Sequence, residues 1–457
     1  MPKRMTRLWH LLTVVHPART VVTAFAAVIL GGTALLSLPV SSQEHGTSGL
    51  VTSLFTSTSA VCVTGLVVVD TGTYWSGFGA GVILVLIQVG GFGIMALASL
   101  LALLVSGKLR LRMQLSAQAE TKSLGIGDVR RVLLRVAITT ATIELAVGTS
   151  LALRFRHGYG EPVGKAMYMG FFHAISAFNN AGFGLHADSL TRYAQDPWVT
   201  LPVAVAVVLG SIGFPVLLEV LRHRLQRPTR GRRGWSLHTK LTLVTTAALL
   251  VTGTVLTCLL EWTNPSTLGR FDWGEKLLNG FFHSAMSRTA GFNTLDIGEM
   301  QASTLLMTCM LMFIGGGSAG TAGGIKVTTF AVLAAAILAE VRGEPDSAVM
   351  KRRLEPHVLR QALTVALLGM GLVTAATISL LTIVDASFED VLFETVSAFG
   401  TVGLSPGITA DLPTAGRLIL ILLMFVGRLG PITLASALAL RERTRRYQLP
   451  EERPIIG

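Results

Sequence analysis

Four times along this chain a phenylalanine stands ten positions ahead of a glycine that closes a short apolar stretch: Phe55 and Gly65, Phe172 and Gly182, Phe281 and Gly291, Phe393 and Gly403. The glycines fall at nearly even intervals, so the chain reads as one unit used four times. Three units add a Ser-Ala pair six residues before the glycine, at Ser59-Ala60, Ser176-Ala177 and Ser397-Ala398, whereas the third carries Ala285-Met286. A bulky apolar residue follows each glycine: Leu66, Phe183, Phe292 and Leu404. A fourfold repeat of short helix, stretched backbone and exit predicts a ring around an axis.

The solvent for such a ring is set by composition. With 51% hydrophobic and only 14% charged residues, the chain belongs in a bilayer. Runs nearly free of charge at 21–40, 79–105, 132–153, 198–221, 241–260, 302–341, 358–384 and 418–440 are each long enough for a span of about 20 residues. Between the spans of each pair, 49–60, 166–178, 275–287 and 387–398 are too short to cross and fit half-helices. Backbone that is not helical survives at membrane depth only if it is buried in protein or lines a watery cavity. The expected fold is therefore an all-α integral membrane protein. It has four tandem helix–pore loop–helix repeats in pseudo-fourfold arrangement around one central pore, with eight transmembrane helices plus four re-entrant pore helices. The repeats run 20–106, 107–221, 222–342 and 343–440, between an N-terminus at 1–19 and a tail at 441–457.

Charge sets the orientation. Of the 38 Lys and Arg, 27 fall at the start, within 108–131, 222–240 and 342–360, and in the tail, which places those segments and both termini in the cytoplasm of a bacterial cell membrane. The opposite loops carry more than half of the 26 acids, among them Asp70, Asp188, Asp272, Glu389, Glu394 and Asp411. An acidic mouth would draw cations, and a simple exclusion of bases from that side gives the same pattern. Nucleic acid is not expected as a partner, since topology already explains the basic residues. Anionic lipid headgroups suit Arg230, Arg232, Arg233, Lys351, Arg352 and Arg353 better. Cys62, Cys258 and Cys309 are too scattered for a metal cluster. No nucleophile, acid-base pair or metal set converges, so no enzyme is expected. His173 and His283 read as residues of the short helices. Glu144 and Glu219 read as partners of basic loop residues.

The repeated loops offer no carboxylate at the glycine: they run Cys62, Val63, Thr64, Gly65; Asn179, Asn180, Ala181, Gly182; Arg288, Thr289, Ala290, Gly291; and Gly400, Thr401, Val402, Gly403. Carbonyls remain. Glycine tolerates backbone angles that other residues avoid, and four such loops could replace the hydration shell of a monovalent cation. A glycine that merely turns the chain out of a helix is the plainer reading of one copy, but four copies in register favour a filter. Arg288 is expected to brace its loop by bonding carbonyls or outer acids.

The last segment of the third unit is interrupted by Gly315, Gly316, Gly317, Ser318, Ala319, Gly320, Thr321, Ala322, Gly323 and Gly324, then Lys326. A helix through them would lose roughly 1 kcal/mol per glycine, so it should unwind. A flexible obstruction below the filter and a close helix packing both fit this composition. Arg428, deep in an apolar run, is costly unless it faces a cavity or partner and is a functional candidate by default; snorkelling to the interface is its alternative.

The strings 57–66, 176–183, 287–293 and 397–404 resemble the four pore loops of the Trk/Ktr/HKT potassium transporter superfamily. The chain is most similar there to its KtrB branch of membrane subunits. The resemblance implies that Gly65, Gly182, Gly291 and Gly403 are filter glycines and that K⁺ is the transported ion, held by backbone carbonyls, because sodium-selective relatives replace the first glycine with serine. It further implies that 315–326 is an intramembrane gate loop with Arg428 beside it. A homodimer is implied too, with a cytosolic RCK ring of KtrA/TrkA type. Any nucleotide is expected on that regulatory partner and no cofactor in this chain. Sodium is a candidate activator, and an ion-coupled secondary transporter is the competing class.

Overall fold

The structure is a computed structural model and describes residues 17–43, 46, 48–93, 126–225, 234–344, 346–350 and 352–430. The predicted cytoplasmic ends and most of the basic clusters, including 108–125, Arg230, Arg232, Arg233, Lys351 and the tail, lie outside them.

The chain is helical. Its first unit comprises α1 (Pro17–Leu36), the short α2 (Leu50–Val61) and α3 (Gly77–Gly93). The second has α4 (Ile126–Gly158), short α5 (Val163–Phe178) and the pair α6 (Pro197–Ile212) and α7 (Phe214–Leu225). The third has α8 (Leu237–Glu261), short α9 (Trp273–Met286) and the pair α10 (Ala302–Phe313) and α11 (Val327–Val341). The fourth has α12 (Pro356–Leu381), short α13 (Phe388–Gly400) and α14 (Thr414–Leu429). The four short helices are thus where the sequence predicts half-helices, and local chemistry starts two of them. Asp272 and Glu275 form a reciprocal capping box at α9, and the Ser387 hydroxyl accepts from the Asp390 N–H at α13. Such caps satisfy amide protons that helix geometry leaves free.

The apolar stretches are less uniform than eight straight spans. Among the described residues, Leu133–Gly158, Leu237–Glu261 and Pro356–Leu381 are continuous helices long and apolar enough to cross a membrane. The stretch 198–221 is broken: α6 and α7 bend by 103° at Gly213, which has φ +97° and is followed by Phe214 and Pro215. A Cβ there would lie 2.4 Å from the Ser318 carbonyl oxygen. Another segment lies against the break, where only a glycine fits.

Each short helix is gripped from two sides. It packs on the first helix of its own unit, α1 on α2, α4 on α5, α8 on α9 and α12 on α13. In each first helix a glycine makes the approach possible: Gly32 faces Ser57, Gly148 faces Phe171, Gly253 faces Ser284 and Gly369 faces Phe399. In a bilayer, where lipid is as apolar as leucine, such close packing replaces hydrophobic burial as the cohesive force. For three of them the other grip comes from the preceding unit, α9 packing on α6, α13 on α10 and α2 on α14, while α5 packs on α6 of its own unit. The contact of α2 with α14 joins the fourth unit to the first. Phe55, Phe172 and Phe393 are fully buried. In the third unit Phe282 takes the buried place and Phe281 is only partly covered.

Candidate functional site

All four loops leave their helices along one backbone path. The residue two before the glycine has positive φ in every copy, Val63 at 55°, Asn180 at 61°, Thr289 at 95° and Thr401 at 48°. The glycines follow suit, Gly65 at 94°, Gly182 at 69°, Gly291 at 63° and Gly403 at 89°. Three of the non-glycine residues are β-branched, for which this region costs about 1–3 kcal/mol each and survives only where the surroundings impose it. Strain repeated in register marks a shape held for use.

The glycines meet. A Cβ on Gly65 would stand 2.4 Å from the Ala181 carbonyl oxygen, one on Gly182 2.7 Å from that of Ala290, one on Gly291 2.7 Å from that of Val402, and one on Gly403 2.1 Å from that of Thr64. Each glycine therefore faces the carbonyl just ahead of the next glycine, and the fourth faces the first. The circuit closes, and no side chain fits at any of its corners.

Two kinds of brace hold this circuit. In loops 1 and 4 the Ser of the Ser-Ala pair does two jobs. The Ser59 and Ser397 hydroxyls accept from the N–H groups of Gly65 and Gly403, each at 3.1 Å, and their carbonyls accept from Thr64 and Val402. The pair seen in the sequence thus has a physical reason. Loop 2 keeps only the carbonyl half, with Ala181 donating to Ser176. Loop 3, lacking the serine, closes on the Met286 carbonyl.

Loops 2 and 3 are held instead by the residue three before the glycine. The Asn179 Nδ2 donates to Gln88 Oε1 at 2.8 Å, Glu144 Oε1 at 3.0 Å and the Ile175 carbonyl at 2.9 Å. Arg288, only 3% exposed, donates to the carbonyls of Thr246 at 3.0 Å and Gly315 at 3.3 Å. It bonds carbonyls, as one of its two expected roles had it. Glu144 meets no basic residue among those described, and Gln88 and Glu144 are site residues that sequence reading missed; Glu219 instead accepts from Ser236 and Thr239.

The glycine-rich segment lies against the residues that precede the glycines. The helix stops at Phe313 and resumes at Val327. Between them, Gly317 N–H donates to the Ser211 carbonyl and Thr321 N–H to that of Gly210, while Phe214 N–H donates to Ala319. The first two bonds satisfy carbonyls at the free end of α6, and the third satisfies the first N–H of α7. The Thr321 hydroxyl donates to Asn180 Oδ1 at 2.8 Å, and Asn180 Nδ2 donates to Thr289 Oγ1 at 3.1 Å. A Cβ on Gly323 would lie 2.1 Å from Thr401 Oγ1. Arg428, 4% exposed, donates to the Thr321 carbonyl and, at 3.2 Å, to that of Gly90. The partly buried Lys326 donates to the Ala322 carbonyl at 2.5 Å. Arg428 therefore has partners within the protein and does not snorkel. Gly315, Gly316, Gly317, Gly320, Gly323 and Gly324 all lie within 4 Å of other backbone or side chains at their missing Cβ.

On the other side of the circuit is a cavity of about 280 Å³, floored by the four glycines and walled by Asp70, His186, Asn293, Ser405 and Thr409 among others. Burial, and then the neighbouring Arg192, hold His186 below the ordinary imidazole range, so it adds no positive charge opposite Asp70 at neutral pH. Glu394, expected at an acidic mouth, is instead fully buried and accepts from the hydroxyls of Ser405 and Thr409. His173 bonds the Met169 carbonyl and His283 the Thr308 hydroxyl.

Comparison with known proteins gives the family and the fold. The family model TrkH, described as "Cation transport protein", matches residues 6–444. The chain is 39% identical over 428 residues to the Ktr system potassium uptake protein B of Bacillus subtilis (strain 168), covering 94% of each. It is also 39% identical over 440 residues to the protein of that name from Vibrio alginolyticus, covering 96% of this chain and 94% of the other. Among solved structures, the crystal structure of the potassium transporter TrkH from Vibrio parahaemolyticus has the same fold, with a TM-score of 0.71 at 19% identity, covering 92% of this chain and 84% of that one.

Proposed function

This chain belongs to the TrkH family of cation transport proteins, a multi-pass membrane protein, and on that footing we propose that it is a potassium uptake pore. K⁺ enters from the cavity above the circuit and sheds its water against main-chain oxygens of 62–65, 179–182, 288–291 and 400–403. Carbonyl dipoles on four sides replace the hydration shell without a fixed charge to trap the ion. The segment 315–326 lies across the exit, and Lys326 and Arg428 add positive charge that discourages cations while it stays there. Movement of that segment opens the path. A cytosolic RCK ring that binds nucleotide drives the movement, the pore-forming chain works as a homodimer, and flow is passive.

The observation that carries this reading is the closed circuit of glycines and carbonyls, Gly65 to Gly182 to Gly291 to Gly403 and back. Its test is Gly65→Ser. A side chain there has both a left-handed backbone and the Ala181 oxygen against it, so loop 2 must give way and the ring widens. Purified protein in liposomes, with K⁺ or Na⁺ as sole cation, should show the K⁺ over Na⁺ flux ratio falling roughly tenfold, a change of about 1.4 kcal/mol. An unchanged ratio would count against the filter.

A further inference from the structure

Glu144 sits midway along α4, the first helix of the second unit. It is 8% exposed, and no basic side chain pairs with it among the described residues. A carboxylate at membrane depth is costly and marks function by default. Its contacts are specific: Oε1 accepts from Asn179 Nδ2 and Oε2 from Gln88 Nε2 at 3.4 Å. The Asn179 Nδ2 offers its two protons to three acceptors, and its own Oδ1 receives no donor. Only a group that accepts can hold it, and turning the amide over would set oxygen against oxygen. Gln88 lies one turn from Gly91, where a Cβ would fall 2.0 Å from Asn179 Oδ1, so α3 closes the other side.

From this geometry we infer that Glu144 is a positioning residue that sets ion selectivity through the second loop. Its carboxylate, with Gln88, fixes the Asn179 side chain and thereby the place of the carbonyls of 179–182, from outside the pore. The inference rests on the reading of those carbonyls as part of a filter. It explains why an acid is kept in the interior of α4, and why Asn179, alone among the four residues three before a glycine, is tied to helices of two units.

The test compares Glu144→Met, similar in size but unable to accept, with Glu144→Gln, which retains an acceptor, and with Gly182→Ser as a reference within the filter. Full-length purified protein in liposomes is assayed for K⁺ and Na⁺ flux, and thermal unfolding is followed in parallel. Glu144→Met should lower the K⁺ over Na⁺ ratio roughly tenfold, and Glu144→Gln should recover it to within about threefold of the parent. A purely structural glutamate would lower the unfolding temperature and leave the ratio alone. If Gly182→Ser shifts the ratio and Glu144→Met does not, the positioning role is overturned and the filter stands. If Gly182→Ser leaves the ratio unchanged, the filter reading fails and takes this inference with it. Should Glu144→Met not yield folded protein, Gln88→Met removes one acceptor of Asn179 and the donor to Glu144, and is judged by the same two outcomes.

Discussion

Loops 1 and 4 are held from within the turn, loops 2 and 3 from behind it. In the first pair a serine hydroxyl takes the glycine N–H, and the residue three before the glycine is small, Cys62 or Gly400. In the second pair that residue is Asn179 or Arg288, and its polar end reaches other helices. The backbone is the same in all four. A common path with unlike supports teaches that the circuit fixes the loop's shape while the outward-facing position is free to specialise. The side-chain links from the loops to the glycine-rich segment also run to this second pair, Asn180 to Thr321 and Arg288 to Gly315. On the proposed gate reading, loops 1 and 4 would serve as fixed walls and loops 2 and 3 as the walls bonded by side chains to the obstruction.

The sharpest way to break that contrast is Arg288→Met. A buried guanidinium with no carboxylate partner among the described residues carries a desolvation cost of several kcal/mol, which methionine removes, so the fold should tolerate the change, with an unfolding temperature within about 5 °C of the parent. Transport should not tolerate it. Two charge-assisted bonds worth about 1.5–3 kcal/mol each are lost, loop 3 is released from both α8 and Gly315, and K⁺ uptake should fall roughly a hundredfold. Uptake that survives in a stable protein would show that loop 3 needs no support from behind.

Removing residues 318–321 is the next largest test. It takes away the Thr321 bond to Asn180 and the carbonyl that receives Arg428, freeing loop 2 from the segment while Gly315, the partner of Arg288 in loop 3, stays in place. K⁺ flux in liposomes should rise about tenfold, equivalent to some 1.4 kcal/mol less occupancy of the blocked state. Flux that is unaltered, in protein that still elutes as a folded species, would remove the gate from the mechanism.

The short helices and the loops that follow them could be read from the sequence because their signals are local. A glycine ten residues after a phenylalanine, a serine six before it and a run rich in glycine each reflect backbone demands met within one unit. What could not be read was set by distant neighbours. The break between α6 and α7 at Gly213 lies against Ser318, far along the chain, and 198–221 by itself has the hydropathy of a single span. Glu144 reads as a partner for loop bases, since its true partners lie elsewhere in the chain, Gln88 in α3 and Asn179 in the second loop. Asn179 itself was identified by position, as part of a loop, and its outward side chain carried no such signal. Periodicity reports which residues share a face; it does not report what that face will meet.

The smallest effect, and the one that refines the contrast most, is expected from the serines. Ser59→Ala removes one neutral bond to the Gly65 N–H, worth about 0.5–1.5 kcal/mol, and the Ser59 carbonyl still receives Thr64. The K⁺ over Na⁺ flux ratio should stay within about threefold of the parent, and Ser397→Ala should behave alike by the same bond energy. The two loops touch, however, because the Thr64 oxygen faces Gly403. Neighbours of that kind do not add independently. In the double variant both glycines lose their donors' partners at the one seam where the fourth unit meets the first, so its ratio should drop by more than the product of the single effects. A strictly multiplicative result would mean that loops 1 and 4 are braced separately, each by its own helix, and that the circuit transmits nothing across that seam.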